Sequence, residues 1–241
     1  MPPAPRQPED HRDRPALLEA RGLALSRNDE PIFGPLDFAL HPGEVVLVEG
    51  DNGAGKTTLL RVLSGLLAPT SGEIRLAGEP LTLARLSPQV ALLSHANGLK
   101  PELTAIENLR FAAGLLGTRP GLSPTSALAA VGLAGYDDVP TRQLSAGQKK
   151  RVALARVLAA PVGLWLLDEP YANLDRAGIE LVNRLLENHA SRGGAALITS
   201  HGAYAYTSGT PRRIRLRGDA DAGAGETRAA ARASTVTESR A

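Results

Sequence analysis

Gly50–Thr57 reads GDNGAGKT and fits the pattern G-x-x-x-x-G-K-[ST]. It follows a compact apolar run, VVLVEG at Val45–Gly50, and leads into a helical pattern, GKTTLLRVLSGLL. A loop in this setting has a definite use. Gly50, Gly53 and Gly55 let the backbone curl so that successive N–H groups point inward around phosphate oxygens. Asp51, Asn52 and Ala54 complete the loop. The helix that opens at its end adds favourable potential for an anion. Lys56 reaches β- and γ-phosphates, the Thr57 hydroxyl ligates magnesium, and Thr58 reaches the α-phosphate. The ligand class is therefore ATP or a relative of it, with Mg2+.

Three more apolar runs share the character of Val45–Gly50: VALLSH at Val90–His95, GLWLLDE at Gly163–Glu169 and AALITSH at Ala195–His201. Continuous apolar strands are buried on both faces, which is the signature of a parallel sheet covered by helices. Helical patterns such as RVALARVLAA lie between them. The reading is an α/β fold: a phosphate-loop core of mostly parallel sheet with flanking helices. The helix-rich segment between Leu99 and Pro140 interrupts it, which predicts an inserted helical subdomain over about 97–160.

The third run ends in two carboxylates. Asp168 lies 112 residues after Lys56, and a strand end beside a phosphate loop is where a magnesium-ordering aspartate belongs. Glu169, one residue on, faces the γ-phosphate and is the candidate general base for an attacking water. Pro170 stops the strand.

Composition narrows the class. The 241 residues are 43% apolar and carry a formal net charge of +2, too weak a bias to argue for nucleic acid. With no cysteine, disulfides and thiolate catalysis are excluded. The opening MPPAPRQPEDHRDRP lacks the apolar core of a secretory signal, and no run of 18 apolar residues appears. Residues 1–15 and 217–241, rich in Pro or in Ala, Gly and charge, are expected to be disordered around a domain at 16–216.

One stretch needs a larger frame. LSAGQKKRVALAR at Leu144–Arg156 is an amphipathic helix preceded by Ser145 and Gly147, with three cations in its first turns. GDNGAGKT, LSAGQ, LWLLDEP, NLD and ITSH occur in the order and spacing of ATP-binding cassette (ABC) ATPase subunits, which the chain resembles over about residues 17–216. More closely, GLKPELTAIENLRF (Gly98–Phe111), GLAGYDDVPTRQLSAGQKKRVALAR (Gly132–Arg156) and LWLLDEPYANLD resemble the heme-exporter ATPase subunits of cytochrome c maturation.

The resemblance implies two ATPase subunits that sandwich two ATP molecules head to tail, on transmembrane permease subunits at the cytoplasmic face of a bacterial inner membrane. Leu144, Ser145, Ala146, Gly147 and Gln148 would then face the partner's nucleotide, with the Ser145 Oγ and Gly147 N–H on its γ-phosphate. Asp175 would lie in the loop that crosses the dimer interface. His201 would contact the γ-phosphate and hold Glu169 and the water in place. Lys149, Lys150 and Arg151 leave two readings open, added positive potential near the partner's phosphate or, the favoured one, solvated charges on an exposed turn.

The sequence departs from the general pattern at three points. His95 stands where a γ-phosphate-sensing glutamine is usual, as in the heme-exporter-like sequences; Gln89 lies at the other end of that strand. The aromatic residue that usually stacks on adenine is absent, with Arg27 and Phe33 as candidate substitutes. Ala146 replaces a signature glycine. The ATPase subunit of another ABC exporter is the nearest alternative, and a soluble ABC-type ATPase acting on DNA or ribosomes is a more distant one. Only 87 residues separate Lys56 from Leu144, too few for an inserted coiled coil. A catalytically dead regulatory cassette fits poorly, because every catalytic position but the glutamine is filled.

Overall fold

A computed structural model of the chain describes residues 15–81, 89–200 and 211–216. Two strands, β1 (Leu18–Arg27) and β2 (Glu30–Leu40), begin the fold as an antiparallel pair. Then come β3 (Val45–Glu49), α1 (Lys56–Leu63), β4 (Ser71–Leu76), β5 (Glu79–Pro80) and β6 (Val90–Leu93). A helical stretch follows: α2 (Ala105–Leu116), α3 (Pro124–Ala130) and α4 (Ala146–Ala159). The chain closes with β7 (Leu164–Leu167), α5 (Arg176–Ser191), β8 (Ala195–Thr199) and β9 (Arg212–Arg215).

The predicted parallel sheet is present, in the order β6-β7-β8-β3-β9, with each of its pairings parallel. A second, antiparallel sheet in the order β2-β1-β4-β5 had no counterpart in the sequence reading. Its signal was the alternation of Leu18, Ala20, Leu23 and of Leu36, Phe38, Leu40, all buried; period-two patterning marks a sheet with one covered face.

The continuous apolar runs of the parallel strands have a simple cause. Successive side chains of a strand point to opposite faces, and here each face has its own core. Val45, Leu47, Trp165, Leu167, Ala196 and Ile198 pack toward α2, α3, α4 and α5. Val46, Val48, Leu164, Leu166, Ala195 and Leu197 pack toward α1 and the antiparallel sheet. A polar residue at any of these positions would enter one core or the other. Phe33 belongs to the second core and is 2% exposed, so it is not an accessible platform for adenine; Arg27 is exposed.

Helix starts follow their capping residues. Thr104 and Glu107 form a capping box on α2, and Ser145 and Gln148 form another on α4. Ser123 with Pro124 opens α3, and the Asp175 side chain accepts from Gly178 N to open α5. The loop before α2 is tied down by buried Asn108. Its Nδ2 donates to the carbonyls of Lys100, Leu103 and Thr104, and its Oδ1 accepts from Lys100 N.

Candidate active site

The phosphate loop leaves the end of β3 and enters α1. Gly55 sits at the helix start with φ of 88°, and a Cβ there would meet Ile32 at 3.0–3.1 Å, so glycine is required on both counts. No side chain caps this terminus and no acidic residue occupies its first turn. Its orphan N–H groups are thus left for an external acceptor. Lys56 lies across the loop and donates from Nζ to Gly50 O at 2.5 Å and Asp51 O at 2.9 Å. Burial lowers its pKa, opposed by the charges of Glu169, Asp51 and Asp168. These three carboxylates therefore lie within electrostatic reach of the ammonium.

Asp168 follows the end of β7 and is 2% exposed. Its Oδ2 accepts from the Thr57 hydroxyl at 2.9 Å, and its Oδ1 accepts from the Thr199 hydroxyl at 2.8 Å. Thr199 Oγ1 in turn accepts the Glu169 backbone N–H at 2.9 Å. Three elements are thus locked together: α1 through Thr57, the end of β7 through Asp168 and β8 through Thr199. Sequence reasoning did not name Thr199. Its signal was its place at the end of an apolar strand, two residues before His201.

Glu169 has φ of 48°, a left-handed conformation unusual for a residue with a Cβ. Its N–H is held by Thr199, and its carbonyl accepts from Lys150 Nζ on α4 at 3.2 Å. Lys150 is 2% exposed. Burial lowers its pKa, opposed by Asp168 and Glu169. Arg151 donates to Val131 O at 2.9 Å and to Asp175 Oδ1 at 3.3 Å. The reading of Lys150 and Arg151 as solvated charges is therefore wrong. They sit on the face of α4 turned toward the 169–175 segment, where long stems can be buried while their heads find acceptors.

The signature stretch is built differently. Ser145 is exposed; its Oγ accepts from Gln148 N, and Gln148 Oε1 accepts from Ser145 N. Leu144 is buried beneath it, while Ala146 is exposed. A Cβ on Gly147 would lie 2.9 Å from Asn173 O, so this glycine permits close packing against the loop before Asp175. Among the described residues no hydrogen bond joins 144–148 to the phosphate loop of the same chain.

His95 is exposed, two residues beyond β6. The turn that follows it is braced by Arg156 of α4, whose Nη1 donates to Asn97 O and Gly98 O at 3.1 and 2.6 Å. His201 and the chain termini lie outside the described residues.

A phosphate loop, a buried aspartate bound to its threonine, a glutamate after it and a separate serine-capped helix define an ATP-hydrolysing cassette. A profile described as ABC transporter matches residues 33–172, and the chain belongs to that family as an ATPase subunit. Among its relatives is the cytochrome c biogenesis ATP-binding export protein CcmA of Xanthomonas campestris pv. campestris (strain 8004). It is 58% identical over 202 residues, covering 84% of this chain and 94% of the relative. CcmA of Methylococcus capsulatus is 50% identical over 191 residues, covering 78% and 92%.

Solved structures agree on the fold. An ATP-binding subunit of an ABC transporter superposes with a TM-score of 0.75 at 26% identity, covering 83% of this chain and 87% of that one. The cassette MJ0796, solved as a dimer in a post-hydrolysis state bound to ADP and Pi, gives 0.71 at 25% identity, covering 83% and 94%.

Proposed function

We propose that the chain is the energy-supplying subunit of an export system serving cytochrome c biogenesis, moving heme or another species that assembly needs. The relatives' shared name supports the biology. The observation that carries the chemistry is the bridge Thr57–Asp168–Thr199, with Glu169 held beside it. ATP is bound by the loop of residues 50–58 and cleaved by in-line attack of water on the γ-phosphate. Lys56 turns from its carbonyl partners to the phosphates, Glu169 takes the proton of the attacking water, and His201 holds both in line.

The Thr57 hydroxyl and the Asp168 carboxylate supply hard oxygen donors 2.9 Å apart. Among the described residues no group of three or more His, Cys, Asp or Glu could hold a metal by itself. Both features fit Mg2+, which takes one or two protein oxygens and completes its shell with waters and phosphates. When bound it neutralises charge developing between the β- and γ-phosphates.

The second half of the site comes from a second ATPase subunit. Ser145 still has its hydroxyl hydrogen to donate, and Gly147 has its backbone N–H, which suits both to a γ-phosphate presented from outside. Asp175 lies in the loop crossing between the subunits. No helix among the described residues is long and apolar enough to cross a membrane. Transmembrane permease subunits carry the cargo, and this subunit docks on them at the cytoplasmic face. The groove near His95–Glu107 receives them. Further along α2, Phe111, over which Lys100 Nζ sits at 4.5 Å, and Leu115 are exposed. His95 takes the sensing role of the missing glutamine.

Affinity purification of the tagged chain from membranes tests this reading. A multi-span protein should co-purify. Recovery with ribosomes or DNA in its place would overturn it.

A further inference from the structure

The face of α4 that carries Gly147, Lys150 and Arg151 follows helical spacing i, i+3, i+4. These three residues each meet the loop after β7 at a different point. Gly147 lies against Asn173 O, Lys150 donates to Glu169 O, and Arg151 pairs with Asp175. The helix that presents Ser145 outward is thereby fastened to the residue proposed to activate water in the chain's own site.

We propose that Lys150 is a positioning residue for hydrolysis: it holds the Glu169 peptide in its left-handed conformation and passes the state of the signature helix to Glu169. The inference rests on the reading of Glu169 given above. Three observations carry it. Lys150 is buried, although exposed charge is the norm for lysine. Its ammonium bonds to the main chain of Glu169, so it fixes backbone rather than a carboxylate. The Glu169 peptide is gripped from two sides, by β8 through Thr199 and by α4 through Lys150, and a residue with φ of 48° persists only where its surroundings over-determine it.

The consequence is a route between two nucleotides. A γ-phosphate seated on Ser145 and Gly147 fixes the N-terminus of α4. Lys150, one turn further along the same face, then fixes Glu169.

Lys150→Met removes the donor at similar volume and Lys150→Arg restores one. Steady-state ATPase assays on both variants in the intact complex, with melting temperatures, test the proposal. Lys150→Met should lower kcat roughly tenfold or more with KM for ATP within about twofold. Its melting temperature should stay within about 4 °C of wild type, since loss of a buried charge offsets loss of one hydrogen bond. Lys150→Arg should recover most of the rate.

A wild-type rate in Lys150→Met overturns the proposal. So does loss of rate that accompanies a lowered melting temperature or a failure to fold, or that Lys150→Arg shares in full; each makes Lys150 structural only. Glu169→Gln run in parallel separates the two readings. If it too hydrolyses ATP normally, the assignment of Glu169 has failed, not merely that of Lys150.

Discussion

Two helices of this molecule begin at the segments proposed to meet phosphate, and they are built in opposite ways. The start of α1 has no side-chain cap, is reached through a glycine at φ of 88°, and has the buried Lys56 as its first residue. The start of α4 has a complete capping box, and its Ser145 is exposed. An uncapped terminus wrapped by its own loop is complete only with a ligand. A self-capped terminus is stable alone and can wait for a surface that arrives from elsewhere. On the proposed reading, the difference separates a site that binds from a site that senses.

The sharpest way to break this comparison is to remove chemistry and leave binding. Glu169→Gln should cut phosphate release roughly 10³-fold, within the span of a lost general base, while nucleotide affinity persists. Fluorescent-nucleotide titration beside a phosphate-release assay checks it, and a stable nucleotide-bound dimer should accumulate. Next comes Lys56→Ala, which deletes a charged donor at α1. Nucleotide affinity should fall on the order of 100-fold, as for the loss of one or two charge-assisted bonds. Unchanged affinity in a binding titration would remove Lys56 from the phosphate site.

At α4 the expected effect is smaller and of another kind. Gly147→Ala pushes a methyl group toward Asn173 O and crowds the surface offered to the partner's nucleotide. Turnover should fall roughly tenfold with the affinity of the isolated subunit unchanged. Should affinity fall in step with turnover, α4 serves the chain's own nucleotide and the distinction between the two helices collapses.

The smallest effect on the site lies at its far side, where His189 stacks on Trp165 at 3.8 Å. Burial, with Arg119 nearby, lowers the His189 pKa from 6.5 to about 4. The folded state therefore holds this ring neutral, and below pH 6.5 the unfolded chain binds the proton first. The stability it contributes is present above pH 6.5 and is lost as pH falls toward 4, by at most about 3 kcal/mol. Thermal melts from pH 7 to 4.5 should show that decline, and His189→Phe should flatten it.

Much of this was legible in the sequence, for identifiable reasons. The phosphate loop and the strand before Asp168 were readable because a loop around phosphate and a strand buried on both faces each demand narrow residue types. The helix at Leu144–Arg156 was readable from its amphipathic pattern, although the caps Thr104, Ser145 and Asp175 emerged only with the fold. Residues whose role depends on tertiary neighbours were not readable. Thr199 looks like any strand residue until β8 is placed between β7 and β3. Lys150 looks solvated until α4 is laid along residues 169–175. The antiparallel sheet was missed because its alternation is broken by register shifts in β1 and outweighed by the long apolar runs elsewhere.

The stacked pair at Trp165 has one more use. The chain contains a single tryptophan, it is buried in β7, and three residues later, just past the end of that strand, comes Asp168. All indole emission therefore originates from one place, against a neutral imidazole that would quench it on protonation. The unlabelled protein thus carries a built-in optical reporter on the strand that leads to Asp168 and Glu169.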